Sequence, residues 1–131
     1  MITQMRIEKA TKIGLCFGVK RAIDIVEKTA RERGGVETLG DVVHNQQVLK
    51  RLAGFGVKVV KDVNNIQGDT VVISAHGVSP QLLDDILARH IEIIDTTCPF
   101  VRRAQVVAQR LAASGFFVVI YGDANHAEVK G

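Results

Sequence analysis

The feature that most constrains this chain is a regular alternation of short apolar runs with longer stretches of helical periodicity. Residues 36–40, 57–60, 70–75, 91–94 and 116–121 read as strands, and residues 6–10 as a weaker, alternating one. Val19, Ala22, Ile23, Val26 and Ala30 stripe a first helix, stopped by Gly34-Gly35. Val48, Leu49 and Leu52 stripe a second, closed by Gly54-Phe-Gly56. Leu82, Leu83, Ile86 and Leu87 stripe a third, opened by Ser79-Pro80 in cap and first-turn positions. Val101, Ala104, Ala108 and Leu111 stripe a fourth, ended by Gly115. Thr70-Val-Val-Ile-Ser-Ala75 is nearly continuous in apolar residues, the pattern of a parallel strand covered on both sides. Strand following helix in this order predicts an α/β fold, a mainly parallel sheet with helices on both faces. At 131 residues, one domain is the first expectation.

Composition narrows the function. Lys and Arg are interspersed with Glu and Asp, the net charge is only +3, and aromatic residues are 5%. That argues against a nucleic-acid surface, which needs a basic patch or stacking rings. No apolar run approaches the ~20 residues of a membrane helix, so no membrane span is expected. The start, Met1-Ile-Thr-Gln-Met-Arg6, lacks an apolar export region, which predicts a cytoplasmic protein. Two widely spaced cysteines, Cys16 and Cys98, fit free thiols in a reducing compartment better than a disulfide scaffold.

In an open parallel sheet, ligands gather outside the carboxyl ends of the strands. The residues expected there are few. Cys16 lies in Gly14-Leu-Cys-Phe-Gly-Val19, before the first helix. His44 and Asn45 follow Gly40. His76-Gly77 follows the 70–75 strand. Cys98 follows Asp95-Thr-Thr and precedes Pro99. His126 and Glu128 follow the 116–121 strand. His90 falls elsewhere, at a helix C-terminus that suits a cation, and reads as structural. Each residue alone has an ordinary explanation: a small core thiol, a helix cap, a turn residue or a surface carboxylate. Together they point to an anion or metal site at one edge. Cysteines at helix starts suit a soft metal, iron or zinc. Histidines and helix N-termini suit a phosphate. A carboxylate beside a histidine suits proton transfer. Gly14, Gly18, Gly40, Gly77 and Gly122 read as strand-to-helix turns, without a nucleotide-loop motif. On these residues alone, a small module binding a phosphorylated ligand or zinc without redox chemistry stays open.

Five motifs in order carry a resemblance across essentially the whole chain. They are Gly14-Leu-Cys-Phe-Gly-Val-Lys-Arg-Ala-Ile23, Val43-His-Asn45, Ala75-His-Gly-Val-Ser79, Thr97-Cys-Pro-Phe-Val101 and His126-Ala-Glu-Val-Lys-Gly131. The chain resembles the N-terminal part of the 4-hydroxy-3-methylbut-2-enyl diphosphate reductases, iron–sulfur enzymes of non-mevalonate isoprenoid synthesis. The resemblance implies three α/β modules around a [4Fe-4S] cluster, each giving one cysteine. Residues 1–98 would be the first module, and residues 99–131 the opening helix and strand of a second. By the same resemblance Cys16 and Cys98 are two cluster ligands, with a third beyond Gly131. His44, His76 and His126 are implied to hold the substrate diphosphate, and Glu128 to be the proton source. Ferredoxin or flavodoxin is the implied electron donor, and the chain alone is expected to be inactive. Ala127 stands where the family usually has proline, which loosens the turn before Glu128. Thr96 stands for a usual alanine, a conservative change. The oligomeric state is left open; an unpaired 116–121 edge would invite association.

Overall fold

A computed structural model describes residues 5–11 and 13–131. Residues 1–4, on which much of the export argument rests, lie outside the described residues. Helix α1 (Phe17–Arg33) leads into β1 (Val36–Leu39), α2 (Gln46–Ala53), β2 (Val57–Val60), a 3-10 turn (Val63–Asn65) and β3 (Thr70–Ile73). Helix α3 (Pro80–Ala88), β4 (Glu92–Asp95), α4 (Pro99–Ala113) and the single-turn α5 (Ala127–Lys130) follow.

The strands form one parallel sheet in the order β2-β1-β3-β4. The two central strands are those with the most continuous burial; every residue of β3 is buried. Alternate side chains feed two cores. Val36, Val57 and Val72 pack with Ala22, Ile23, Val26 and Ala30 of α1 and Leu52 of α2. Leu39, Val71 and Ile73 pack on the other face with Ile86 and half-buried Leu82 and Leu83 of α3. Thus α1 and α2 cover one face and α3 the other, as the sequence predicts. The β1–β2 and β3–β4 crossovers run in opposite directions from the middle of the sheet. The order therefore reverses between β1 and β3, where the carboxyl ends of a doubly wound sheet leave a crevice.

Local signals explain the element ends. Gly34 takes the left-handed conformation (φ 73°) after α1, with Arg31 and Arg33 in the last turn suiting the dipole. Asn45 caps α2 by accepting from the Gln47 and Val48 N–H groups. Ser79 caps α3 with Pro80 in its first turn.

Two strand expectations fail. Residues 6–10 form no strand, and residues 116–121 pair with no neighbour among the described residues. Ile7 alternates with charged Arg6 and Glu8, but Ile7 stays exposed and buries nothing. Phe116, Phe117, Val119, Ile120 and Tyr121 are likewise exposed. Both stretches have strand composition without a ladder to join, and strand stability comes from cross-strand pairs. Cys16 accordingly follows an irregular segment rather than a strand. Gly18 lies inside α1 rather than in a turn. Among the described residues no helix is long and apolar enough to cross a membrane.

Candidate active site

The chain leaves β1 through Gly40 and reaches His44 just before α2. It leaves β3 through Ser74-Ala75 and reaches His76. These two turns flank the switch point, so both imidazoles stand at the crevice. Their rings stack with centroids 4.9 Å apart. His126, capping α5, joins them edge-on, 5.7 Å from His76 and 6.5 Å from His44. The Glu128 carboxylate lies 3.5 Å from His76 Nδ1, close enough for an ion pair but not aligned as a hydrogen bond. The Glu128 backbone N–H donates to His126 Nδ1 at 3.3 Å.

His76 is the buried member of this group. Its side chain is 13% exposed, against 47% for Glu128. Both ring nitrogens are shielded from solvent without a hydrogen-bond partner. Such unmet capacity is costly unless a ligand or water supplies the partner. Gly77 beside it is required twice over. Its φ is +75°, and a Cβ there would lie 2.8 Å from Gln105 Nε2 and 3.1 Å from Thr97 Cγ2. His44 and His76 line a cleft of about 840 Å³, which also takes in Lys61, Arg89 and Lys130.

The two cysteines are free and stand at helix N-termini, Cys16 before α1 and Cys98 before α4. Cys16 is exposed and Cys98 half-buried. The Cys98 N–H donates to the Ala75 carbonyl at 2.9 Å, which ties its turn to the residue before His76. Thr96 is fully buried, and its hydroxyl and N–H both donate to the Ile73 carbonyl. Asp95 accepts from the Thr97 N–H (2.8 Å) and hydroxyl and pairs with Arg102. Burial pushes the Asp95 carboxyl up, but the Thr97 hydrogen bonds and the Arg102 charge outweigh it and leave it below the ordinary range. Among the described residues no three His, Cys, Asp or Glu side chains are grouped to hold a metal ion. The donor set suited to a soft metal is the cysteine pair.

The structure thus gathers His44, His76, His126 and Glu128, and tethers Cys98 beside them. Asn45 is spent on its helix cap. His90 is exposed, just past α3, with φ +58°. Sequence reasoning missed Gln105, whose Nε2 is buried without a partner against Gly77 and Gly131. Its signal was a polar residue one turn from Val101 on an otherwise apolar stripe. It also missed the contacts of Gly18 and Arg21 with the Cys98 turn, which no local pattern encodes.

Fold and site define a class: a doubly wound α/β protein with a histidine-lined crevice and a neighbouring pair of free cysteines. The profile described as LytB protein matches residues 7–131, and the chain belongs to that family. It is 63% identical over 127 residues to the 4-hydroxy-3-methylbut-2-enyl diphosphate reductase of Dehalococcoides mccartyi, covering 97% of this chain and 45% of that protein. It is 46% identical to the enzyme of the same name from Geobacter sulfurreducens, with the same coverage. The chain therefore spans less than half the length of these relatives. Among solved structures it resembles the E-1-hydroxy-2-methyl-but-2-enyl-4-diphosphate reductase of Plasmodium falciparum, with a TM-score of 0.85 at 33% identity, over 88% of this chain and 37% of that one. It also resembles an (E)-4-hydroxy-3-methyl-but-2-enyl diphosphate reductase described as the terminal enzyme of the non-mevalonate pathway. There the TM-score is 0.79 at 38% identity, over 90% of this chain and 42% of that one.

Proposed function

We propose that this chain supplies the N-terminal part of an iron–sulfur reductase that converts 4-hydroxy-3-methylbut-2-enyl diphosphate to isopentenyl and dimethylallyl diphosphate. The observation that carries the reading is the meeting of three imidazoles and a carboxylate at the switch point, with the Cys98 turn bonded to the same strand end. The relatives' names add the substrate. Residues 1–98 make the first module in this reading, and residues 99–131 begin a second. The apolar residues left exposed over 116–121 are consistent with that division.

Cys16 and Cys98 fit a cluster as two of its ligands, being free thiols at adjacent helix starts. A third cysteine comes from sequence beyond this segment. When bound, a [4Fe-4S] cluster with three cysteine ligands supplies an open iron as Lewis acid and a route for electrons. This chain's residues do the rest. His44, His76 and His126 hold the diphosphate by charge-assisted bonds, which meet hydrogen-bonding capacity that His76 otherwise leaves unmet. Glu128 supplies a proton at the crevice, with the His76 ring 3.5 Å from its carboxylate to renew it. The balance is two electrons and two protons in, the allylic hydroxyl out as water, and one proton retained on the allylic carbon. Ferredoxin or flavodoxin delivers the electrons. Such thiols call for a reducing compartment, and the cytoplasm is the one proposed.

The test joins this chain at Gly131 to the remaining C-terminal sequence of the Dehalococcoides mccartyi reductase. The joined protein, reconstituted anaerobically, forms both products from the allylic diphosphate under reducing conditions. Glu128→Gln keeps iron and substrate binding but slows turnover by about 10²-fold or more. An iron-loaded protein that binds no substrate contradicts the proposal, as does Glu128→Gln turning over at the parental rate.

A further inference from the structure

We propose that Gly18 and Arg21, three residues apart on α1, are positioning residues that set the separation of the Cys16 and Cys98 sulfurs. The inference rests on the reductase reading for what the sulfurs hold, and on contacts between α1 and the Cys98 turn for how they are held.

Gly18 is buried in the first turn of α1, two residues after Cys16. Its φ is not in the left-handed range, so backbone freedom does not explain it. A glycine there costs the helix roughly 0.5–1 kcal/mol relative to alanine. The neighbour explains the choice. A Cβ on Gly18 would lie 2.9 Å from Cys98 Cβ and 3.7 Å from Cys98 Cα, and would overlap Cys98 Sγ. The missing side chain is what lets the two ligand-bearing segments touch.

One turn on, Arg21 grips the same segment from the side. Its Nη1 donates to the carbonyls of Thr96 and Thr97, both at 3.4 Å. Each bond is long, but one cation serves two successive carbonyls immediately before Cys98. The other side of that turn is held by the Cys98 N–H on Ala75 and by Asp95 on Thr97. The Cys98 turn is thereby clamped between the sheet and α1, and α1 begins at Cys16.

The chain has two cysteines, so a short bifunctional thiol reagent reads one separation. Dibromobimane, which fluoresces once both arms have reacted, bridges the two thiols of the dilute, metal-free parent chain. Gly18→Ala and Arg21→Met each slow bridging by at least about tenfold, because intramolecular rates fall steeply with misplacement. Arg21→Lys, which keeps a charged donor, recovers part of the rate. Arg103→Met, on the exposed side of α4, bridges like the parent. Circular dichroism establishes that each variant is folded. Arg21→Met adds no volume and carries the test where Gly18→Ala does not fold. Parental bridging in folded Arg21→Met, or a parent that does not bridge, overturns the proposal. Because no metal is present, this outcome is independent of the reductase reading, which falls instead if the joined enzyme keeps its cluster without Cys16.

Discussion

Asn45 shows the ordinary explanation of a turn residue, a helix cap, holding in three dimensions. It stands next to His44 at the crevice, yet its Oδ1 accepts from two N–H groups of α2. Asn45→Ala is expected to lower stability by about 1 kcal/mol in chemical denaturation. Asp95 acts through the Cys98 turn in a similar way. A carboxyl held below its ordinary range stabilises the fold above that range, and the contribution is lost as pH falls through its folded value. Melting temperature should therefore fall less on acidification below about pH 4 in Asp95→Asn than in the parent. At neutral pH the same substitution, which removes the charge facing partly exposed Arg102, costs no more than about 1 kcal/mol. His44, His76, His126 and the two cysteines were legible in the sequence because each is rare and falls in a turn before a helix. Gly18 and Arg21 were legible only as part of a motif. Their partners lie more than 70 positions away, and nothing local encodes a contact across elements.

At the scale of elements, β1, β2, β3 and β4 and the four long helices fall where periodicity and turn residues predict, to within a few residues at the ends. Burial is the reason. A stripe or run that reads clearly in sequence is one that packs, as Val72 on one face and Ile86 on the other. Ile86 is fully buried between α3 and the sheet, and Ile86→Ala is expected to cost about 2–5 kcal/mol in urea unfolding. The same residues in 116–121 that predict a strand fail to form one because a strand needs a partner, and none pairs with them among the described residues. Helix α4 carries the complementary signal. It has an apolar stripe but no fully buried residue, so its packing surface outruns what the described residues supply.

For the whole molecule, the sheet brings chemistry from distant segments to one edge. The reversal between β1 and β3 places His44 and His76 together, and the tether from Ala75 to Cys98 puts the cysteine turn beside them. The surface around Phe116, Phe117 and Tyr121 remains apolar and open. The isolated chain is expected to self-associate as concentration rises in light scattering, and the protein joined to the remaining reductase sequence to stay monodisperse. The most direct test of the central claim is the iron and acid-labile sulfide content of that joined protein after anaerobic reconstitution. Parent protein should hold about four of each per chain, and Cys16→Ser and Cys98→Ser should lose most of both. Full iron and sulfide in either serine variant would contradict the account.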